Sequence, residues 1–321
     1  MTRKRLMAMG TGSRTRAAVL AAGALLLGTV ALPGSSAAEP RPQAVRISAG
    51  APALAPAAAT CDTGTSLTPS TDDSGPNVQR IRKRGKLIAG IDTNSDLWGF
   101  RDPATGNLQG FDIDLVHALA KSILGDANAV EFLAVPTANR ITALQSGQVD
   151  VVVRTMTITC DRLKQVSFSV PYFDAGQEVV APKSSPITGL DDTVKGRQVC
   201  AATGSTGLDL LKANLHGAKV FTVANQLDCL VQMQLGNVDA TITDNALGAG
   251  QVAQDPTIHL VGGLLDHEVY GVAMKLGSTD LVRRVNAAMQ DFLANQWTAE
   301  YSKWLKPLGA SPGAPVPHFA G

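Results

Sequence analysis

Residues 150–162, DVVVRTMTITCDR, constrain the fold more than any other stretch of this chain. The apolar run Val151, Val152 and Val153 has the length and composition of a buried strand. It stops at Arg154 and a hydroxyl-rich turn carrying Thr155, Thr157 and Thr159, after which the pattern predicts a helix from about Cys160 to Arg162. Hydroxyls, free backbone N–H groups and a guanidinium therefore meet at the carboxyl end of a strand, where open α/β sheets bind ligands. Helix N-termini attract anions, and arginine grips a carboxylate through two parallel hydrogen bonds. This corner is suited to receive an anion.

The rest of the chain narrows the class. With 321 residues, 45% of them hydrophobic, it can bury one large core or two modest ones. A net charge of +1 implies no general attraction to nucleic acid or anionic membrane. An aromatic content of 4% argues against a carbohydrate-stacking cleft. At the N-terminus, Arg3, Lys4, Arg5, Arg14 and Arg16 precede an apolar stretch, residues 17–32, and a small-residue site at Ser36-Ala37-Ala38. Residues 1–38 thus read as a secretory signal peptide cleaved after Ala38, too short in its apolar part for a membrane span. No consecutive arginine pair points to the twin-arginine route. Residues 39–76 read as an Ala/Pro-rich spacer containing Cys61, and residues 309–321, with Pro312, Pro315 and Pro317, as a disordered tail. The expected location is outside the cytoplasm, in the periplasm or cell envelope or beyond it.

Strand and helix patterns alternate between these ends. Residues 86–91 and 130–135 are strand-like, and residues 112–124 and 140–146 are helix-like, the last closed by Gly147. Such alternation predicts an α/β fold whose sheets are mainly parallel and flanked by helices. The pattern then recurs. Gln145-Ser146-Gly147-Gln148-Val149-Asp150 is echoed by Gln234-Leu235-Gly236-Asn237-Val238-Asp239, and five residues past each aspartate stand Thr155 and Asp244. Two lobes facing a shared cleft would need such polar groups at their strand ends. In the second half, Gly204-Ser205-Thr206-Gly207 precedes a helix from Leu208, a segment that serves either as an anion nest or as an ordinary cap. It is too short for a phosphate loop and has no following lysine.

Several motifs in shared order carry a more specific resemblance. They are Gly110-Phe111-Asp112-Ile113-Asp114-Leu115, Asn139-Arg140-Ile141, the Thr155-Met156-Thr157-Ile158-Thr159 string with Arg162, Phe168-Ser169-Val170-Pro171-Tyr172, Gly204-Ser205-Thr206, Val238-Asp239-Ala240 with Asp244, Tyr270-Gly271-Val272-Ala273, and the closing residues 297–305. From about Arg80 to Pro307 the chain resembles the polar amino-acid solute-binding proteins, family 3, that feed ABC importers. The resemblance implies a two-lobed periplasmic-binding-protein-like fold of type II. Lobe 1 would comprise residues 77–177 and 269–308, and lobe 2 residues 178–268, joined by two crossover strands. It also implies a monomer that captures an amino acid by hinge closure and hands it to a membrane permease, with no nucleic-acid partner.

Carried onto this sequence, the family scheme makes Arg162 the α-carboxylate clamp, with Thr155 and Thr157 beside it. Thr206, next to Ser205, would meet the carboxylate from the other lobe, and Asp244 would accept hydrogen bonds from the α-ammonium. Trp98 and Phe100 are the aromatic candidates for the ligand's carbon chain, with Asp92 and Asn94 nearby. Arg154 departs from the family, which more often has a small or acidic residue there. An extra guanidinium, assisted by Arg140, favours a second carboxylate, so glutamate or aspartate is the expected ligand, ahead of their amides. Four cysteines allow three pairings. Cys200 and Cys229 share lobe 2, which leaves Cys61 to pair with Cys160 in lobe 1. Cys61 as a lipid attachment site fits poorly, because Thr60 precedes it and no aliphatic residue lies three back. No histidine joins the cysteines at zinc-like spacing, so neither metal nor cofactor is expected. The rival readings are a dehydratase-like enzyme on the same fold and an amino-acid sensor. For the enzyme, Glu178 and Glu268 near the crossovers are the acids to watch.

Overall fold

The computed structural model describes residues 61–320. The signal peptide and the first part of the spacer lie outside the described residues. Two five-stranded sheets dominate the described part. The first has the order Val130–Ala134, Leu87–Ile91, Val151–Val152, Glu268–Lys275, Val166–Ala175, and the second the order Lys219–Val223, Gln198–Ala202, Ala240–Asp244, Gln177–Pro182, Ile258–Val261. In each, three parallel strands are followed by one that runs antiparallel to both its neighbours. The sheets with their helices are called lobe 1 and lobe 2 below.

The repeated hexapeptides are structurally equivalent. Gly147 and Gly236 follow the helices Arg140–Gln145 and Gln226–Gln234 with φ of 74° and 73°, a left-handed backbone that glycine adopts without steric cost. Each then delivers an aspartate whose backbone and side chain both bind one residue of the adjacent strand. Asp150 N–H donates to the Ile88 carbonyl at 2.9 Å, and its Oδ2 accepts from Ile88 N–H at 2.9 Å. Asp239 does the same with Gln198, at 2.8 and 2.7 Å. The register of each sheet's third strand is pinned in this way.

The lobes are joined twice. The chain leaves lobe 1 through Ala175, passes Gly176 and enters lobe 2 at Gln177, and residues 262–267 make the return. The two passages touch so closely that a Cβ on Gly176 would sit 2.3 Å from the Asp266 carbonyl oxygen. Apolar clusters cover both faces of each sheet. Those of lobe 1 include Leu87, Ile91, Val151 and Phe292 on one face and Val135, Leu144, Val152 and Phe168 on the other.

Both disulfides are present, Cys61–Cys160 and Cys200–Cys229. The tail expected to be disordered is ordered as far as residue 320. His318–Ala320 pairs in parallel with Thr65–Leu67, and Ala314 and Phe319 pack against the lobe 1 core. Pairing over three residues leaves no readable periodicity, and the prolines before it suit an extended chain as well as a disordered one. The buried Asn286 side chain secures this edge, donating to the Leu67 carbonyl at 2.6 Å and accepting from Val170 N–H at 3.0 Å.

The cross-links span 99 and 29 residues. Replacing Cys61 and Cys160 by serine should cost about 4–5 kcal/mol of stability, and replacing Cys200 and Cys229 about 3–4 kcal/mol, on chain-entropy grounds. Denaturant titration of the two double variants checks both the magnitudes and their order.

Candidate functional site

Where the carboxyl ends of the two sheets meet, polar and charged side chains are buried together. Arg162 rises from the short helix Cys160–Leu163, whose preceding residue Thr159 caps it by accepting from Arg162 N–H at 3.2 Å. Its guanidinium donates to the Thr157 carbonyl at 2.7 Å and, across the seam, to the Gly204 carbonyl at 3.1 Å. Arg140 reaches the same Gly204 carbonyl at 3.2 Å and the Thr137 carbonyl at 3.0 Å. Burial and the charges of Arg162 and Arg154 depress Arg140's proton affinity well below the ordinary arginine value.

Arg154 is fully buried. Its guanidinium forms an ion pair with Asp92 at 2.8 Å and donates to Thr137 Oγ1 at 2.9 Å and, from the opposite side, to Asn225 Oδ1 at 3.0 Å. The guanidinium expected at the cleft edge is thus occupied by the acid that follows the first strand.

Asp244 ends the strand Ala240–Asp244 and precedes the helix Asn245–Gln254. Gln177 donates to it from the first crossover. Burial and the neighbouring Glu268 carboxylate push its pKa well above the ordinary carboxylate range. Glu268 Oε2 accepts from Thr157 Oγ1 at 2.7 Å and from Thr206 Oγ1 at 3.1 Å. Ser205 is spent on its helix: it accepts from Leu208 N–H at 3.1 Å and donates to the Ala202 carbonyl at 2.7 Å. Of the two aromatic candidates, Trp98 is buried at the seam. Its indole N–H donates to the lobe 2 carbonyl of Ala246 at 3.1 Å, and its ring meets Phe173 edge-on at 4.8 Å. Phe100 instead lies against Trp304 at 6.3 Å.

The hydroxyl turn needs its own support. Thr155 has a φ of 41°, a left-handed backbone that β-branched residues avoid. The Asp112 carboxylate holds it there, accepting from Thr155 N–H and from the Tyr172 hydroxyl, each at 2.9 Å. Asp112 is wholly buried, and that burial pushes its pKa up to about 7. Gly110, two residues before, is required because a Cβ there would lie 2.3 Å from the Trp98 carbonyl oxygen. The Gly110-Phe111-Asp112 motif therefore supports the site rather than lining it.

Arg140, Arg154, Arg162, Thr155, Thr157, Thr206 and Asp244 come together at this seam. Gln177, Thr137 and Asn225 complete it without having been expected as site residues, and Glu268, singled out in the sequence only as an acid to watch for an enzyme, joins them as a hydrogen-bond acceptor. The only signal for Gln177 and Glu268 was a polar residue in otherwise apolar crossover strands. At the seam's edge a pocket of about 110 Å³ is lined by Asp92, Thr93, Asn94, Pro136 and Asn225. A larger concavity, about 480 Å³, lies elsewhere, between Leu67, Ile158, Phe168 and Val282. It has no charged lining residue and lacks groups to orient a polar ligand. Among the described residues no cluster of metal-ligating side chains occurs, and no helix is long and apolar enough to cross a membrane.

The model of the bacterial extracellular solute-binding proteins, family 3, matches residues 87–307. The chain belongs to this family. A glutamine-binding protein of Geobacillus stearothermophilus is 40% identical over 205 residues, covering 63% of this chain and 78% of the relative. An ABC transporter glutamine-binding protein of Bacillus subtilis is 34% identical over 238 residues, covering 74% and 87%. Among solved structures, an ancestral arginine-binding protein bound to glutamine superposes with a TM-score of 0.65 at 39% identity, covering 69% of this chain and 98% of that one. The solute receptor for L-cysteine of Neisseria gonorrhoeae gives 0.70 at 28% identity, covering 73% and 97%. These neighbours share the type II two-lobed architecture, and this family 3 chain has it as well.

Because the Asp112 pKa is raised from 3.8 to about 7, its contribution to stability is full below the lower value and is lost as pH rises through the upper one. The Asp112→Asn variant lacks that loss. Its melting temperature relative to the wild type should therefore climb between pH 5 and pH 8, as scanning calorimetry at both pH values would show.

Proposed function

We propose that the protein is the extracytoplasmic receptor of an ABC importer and that its ligand is an α-amino acid with a neutral polar side chain, glutamine first. The observation that carries this reading is the placement of Arg162 and Asp244. They stand on opposite lobes, within one buried cluster, close enough that the Asp244 carboxylate favours the charged form of Arg162. A zwitterion presents a carboxylate and an ammonium at fixed separation, and only groups from both lobes can satisfy the two ends together. Charge-assisted hydrogen bonds contribute about 1.5–3 kcal/mol each, so a few reach micromolar affinity. In this reading Arg162, Thr157 and Thr206 hold the α-carboxylate, Asp244 takes the α-ammonium, and Trp98 and Tyr270 wall the seam.

Arg154 decides the side chain. An acidic ligand gripped by Arg154 would need that guanidinium to have charge to spare, and Asp92 already neutralises it inside the fold. Stripping Asp92 of its partner to serve a second carboxylate would leave an uncompensated buried acid, at a cost of several kcal/mol. An amide makes no such demand. The glutamine-binding relatives support the same choice. Closure on the ligand would present a joint surface of both lobes to the permease.

Isothermal titration with the twenty amino acids tests the reading: glutamine should bind with unit stoichiometry and be recovered unchanged, and glutamate should bind more weakly. Arg162→Ala should weaken glutamine binding by about 100-fold or more, the loss of two charge-assisted bonds. Arg154→Ala should lower the melting temperature while leaving the ratio of glutamine to glutamate affinity within about threefold. A collapse of glutamate binding alone would restore the acidic ligand.

A further inference from the structure

Glu268 is the one buried acid of the seam to which the amino-acid reading assigns no task. It opens the strand Glu268–Lys275 at the return crossover and is 8% exposed. Its Oε2 accepts from Thr157 Oγ1 at 2.7 Å and from Thr206 Oγ1 at 3.1 Å. These hydroxyls belong to opposite lobes, Thr157 to the turn beyond Val151–Val152 and Thr206 to the first turn of the helix Thr206–Ala213. Glu268 is also the acid that most strongly favours the charged form of Arg162.

The direction of the bonds matters. Gln177 Nε2 donates to Thr206 Oγ1 at 3.2 Å, so the single hydroxyl hydrogen of Thr206 is left to point at the Glu268 oxygen. Both hydroxyls thus act as donors to one carboxylate, as they would toward a ligand's. Two donors from two lobes and the field of Arg162 are the set to which the proposed function assigns the α-carboxylate.

We propose that Glu268 is a tethered counterpart of the ligand's carboxylate: it latches the lobes through Thr157 and Thr206, and an incoming amino acid must take those hydroxyls from it. The inference rests on the amino-acid reading and deepens it. A carboxylate fixed at the hinge competes intramolecularly, at an effective concentration that a free ligand has to overcome. Apparent affinity is then the intrinsic affinity reduced by the fraction of molecules whose hydroxyls are free. Glu268 would set how much amino acid must be present before the receptor loads.

The opposite role, Glu268 joining Asp244 as an acceptor for the ligand's ammonium, predicts an effect of opposite sign. Titration of L-glutamine into the wild type, Glu268→Gln and Glu268→Ala distinguishes them. The latch predicts tighter binding in both variants, about tenfold for alanine and less for glutamine, which still accepts hydrogen bonds through its carbonyl. It also predicts a larger radius of gyration for ligand-free Glu268→Ala than for ligand-free wild type in small-angle scattering. Unchanged or weaker binding in both variants overturns the latch. Should alanine prevent folding, checked by circular dichroism, the isosteric glutamine variant decides alone. A folded wild type that binds none of the twenty amino acids overturns the proposed function instead, and the scattering comparison still reports whether Glu268 holds the lobes together.

Discussion

Three guanidinium groups share one buried seam, and the rest of the site is arranged around that cost. Removing a cation from water is expensive unless a partner and hydrogen bonds replace the solvent. Arg154 gets Asp92, Arg162 feels Glu268 and Asp244, and Arg140 is left to carbonyl oxygens, with its proton affinity depressed accordingly. The acids carry a matching burden. Asp112 is held near neutrality by burial, and Asp244 is pushed upward by Glu268. A charged guest has to fit into a balance of fixed charges that already exists.

Close approach of the lobes requires small residues as well as charges. A Cβ on Gly204 would lie 2.9 Å from Ala138 Cα, and one on Gly250 would lie 2.7 Å from the Asp96 carbonyl oxygen. Those contacts bring the Gly204 carbonyl within reach of two arginines and let Trp98 span from its own lobe to Ala246. The scarce aromatic residues are concentrated where they matter. Trp98, Phe111, Phe173 and Tyr270 interlock beneath the seam, giving the charged layer a rigid apolar floor.

What could be read from the chain beforehand was what depends on neighbours in sequence. The turn at Thr155 and Thr157, the cap at Ser205, the aspartate at a strand's end and the two glycine turns are local patterns, and each has a local structure. Partners that depend on the fold were not legible. Arg154 and Asp92 are far apart in sequence, and so are Thr157 and Glu268, which stand 111 residues apart, and no periodicity announces such a pair. The reading of Arg154 as a free guanidinium came from judging it beside its sequence neighbours, without the strand that lies next to its own. The mistaken tail has the same origin. His318–Ala320 finds its partner at the other end of the described chain.

That last pairing fixes where this protein can report on itself. With Thr65–Leu67 and His318–Ala320 hydrogen-bonded side by side against lobe 1, both ends of the described chain ride on the same body. Fluorophores attached beside these two strands would keep their spacing through any swing of the opposite sheet and register nothing. A sensor made from this scaffold has to carry one of its dyes on the far side of the crossovers, on an exposed loop between the strands of lobe 2.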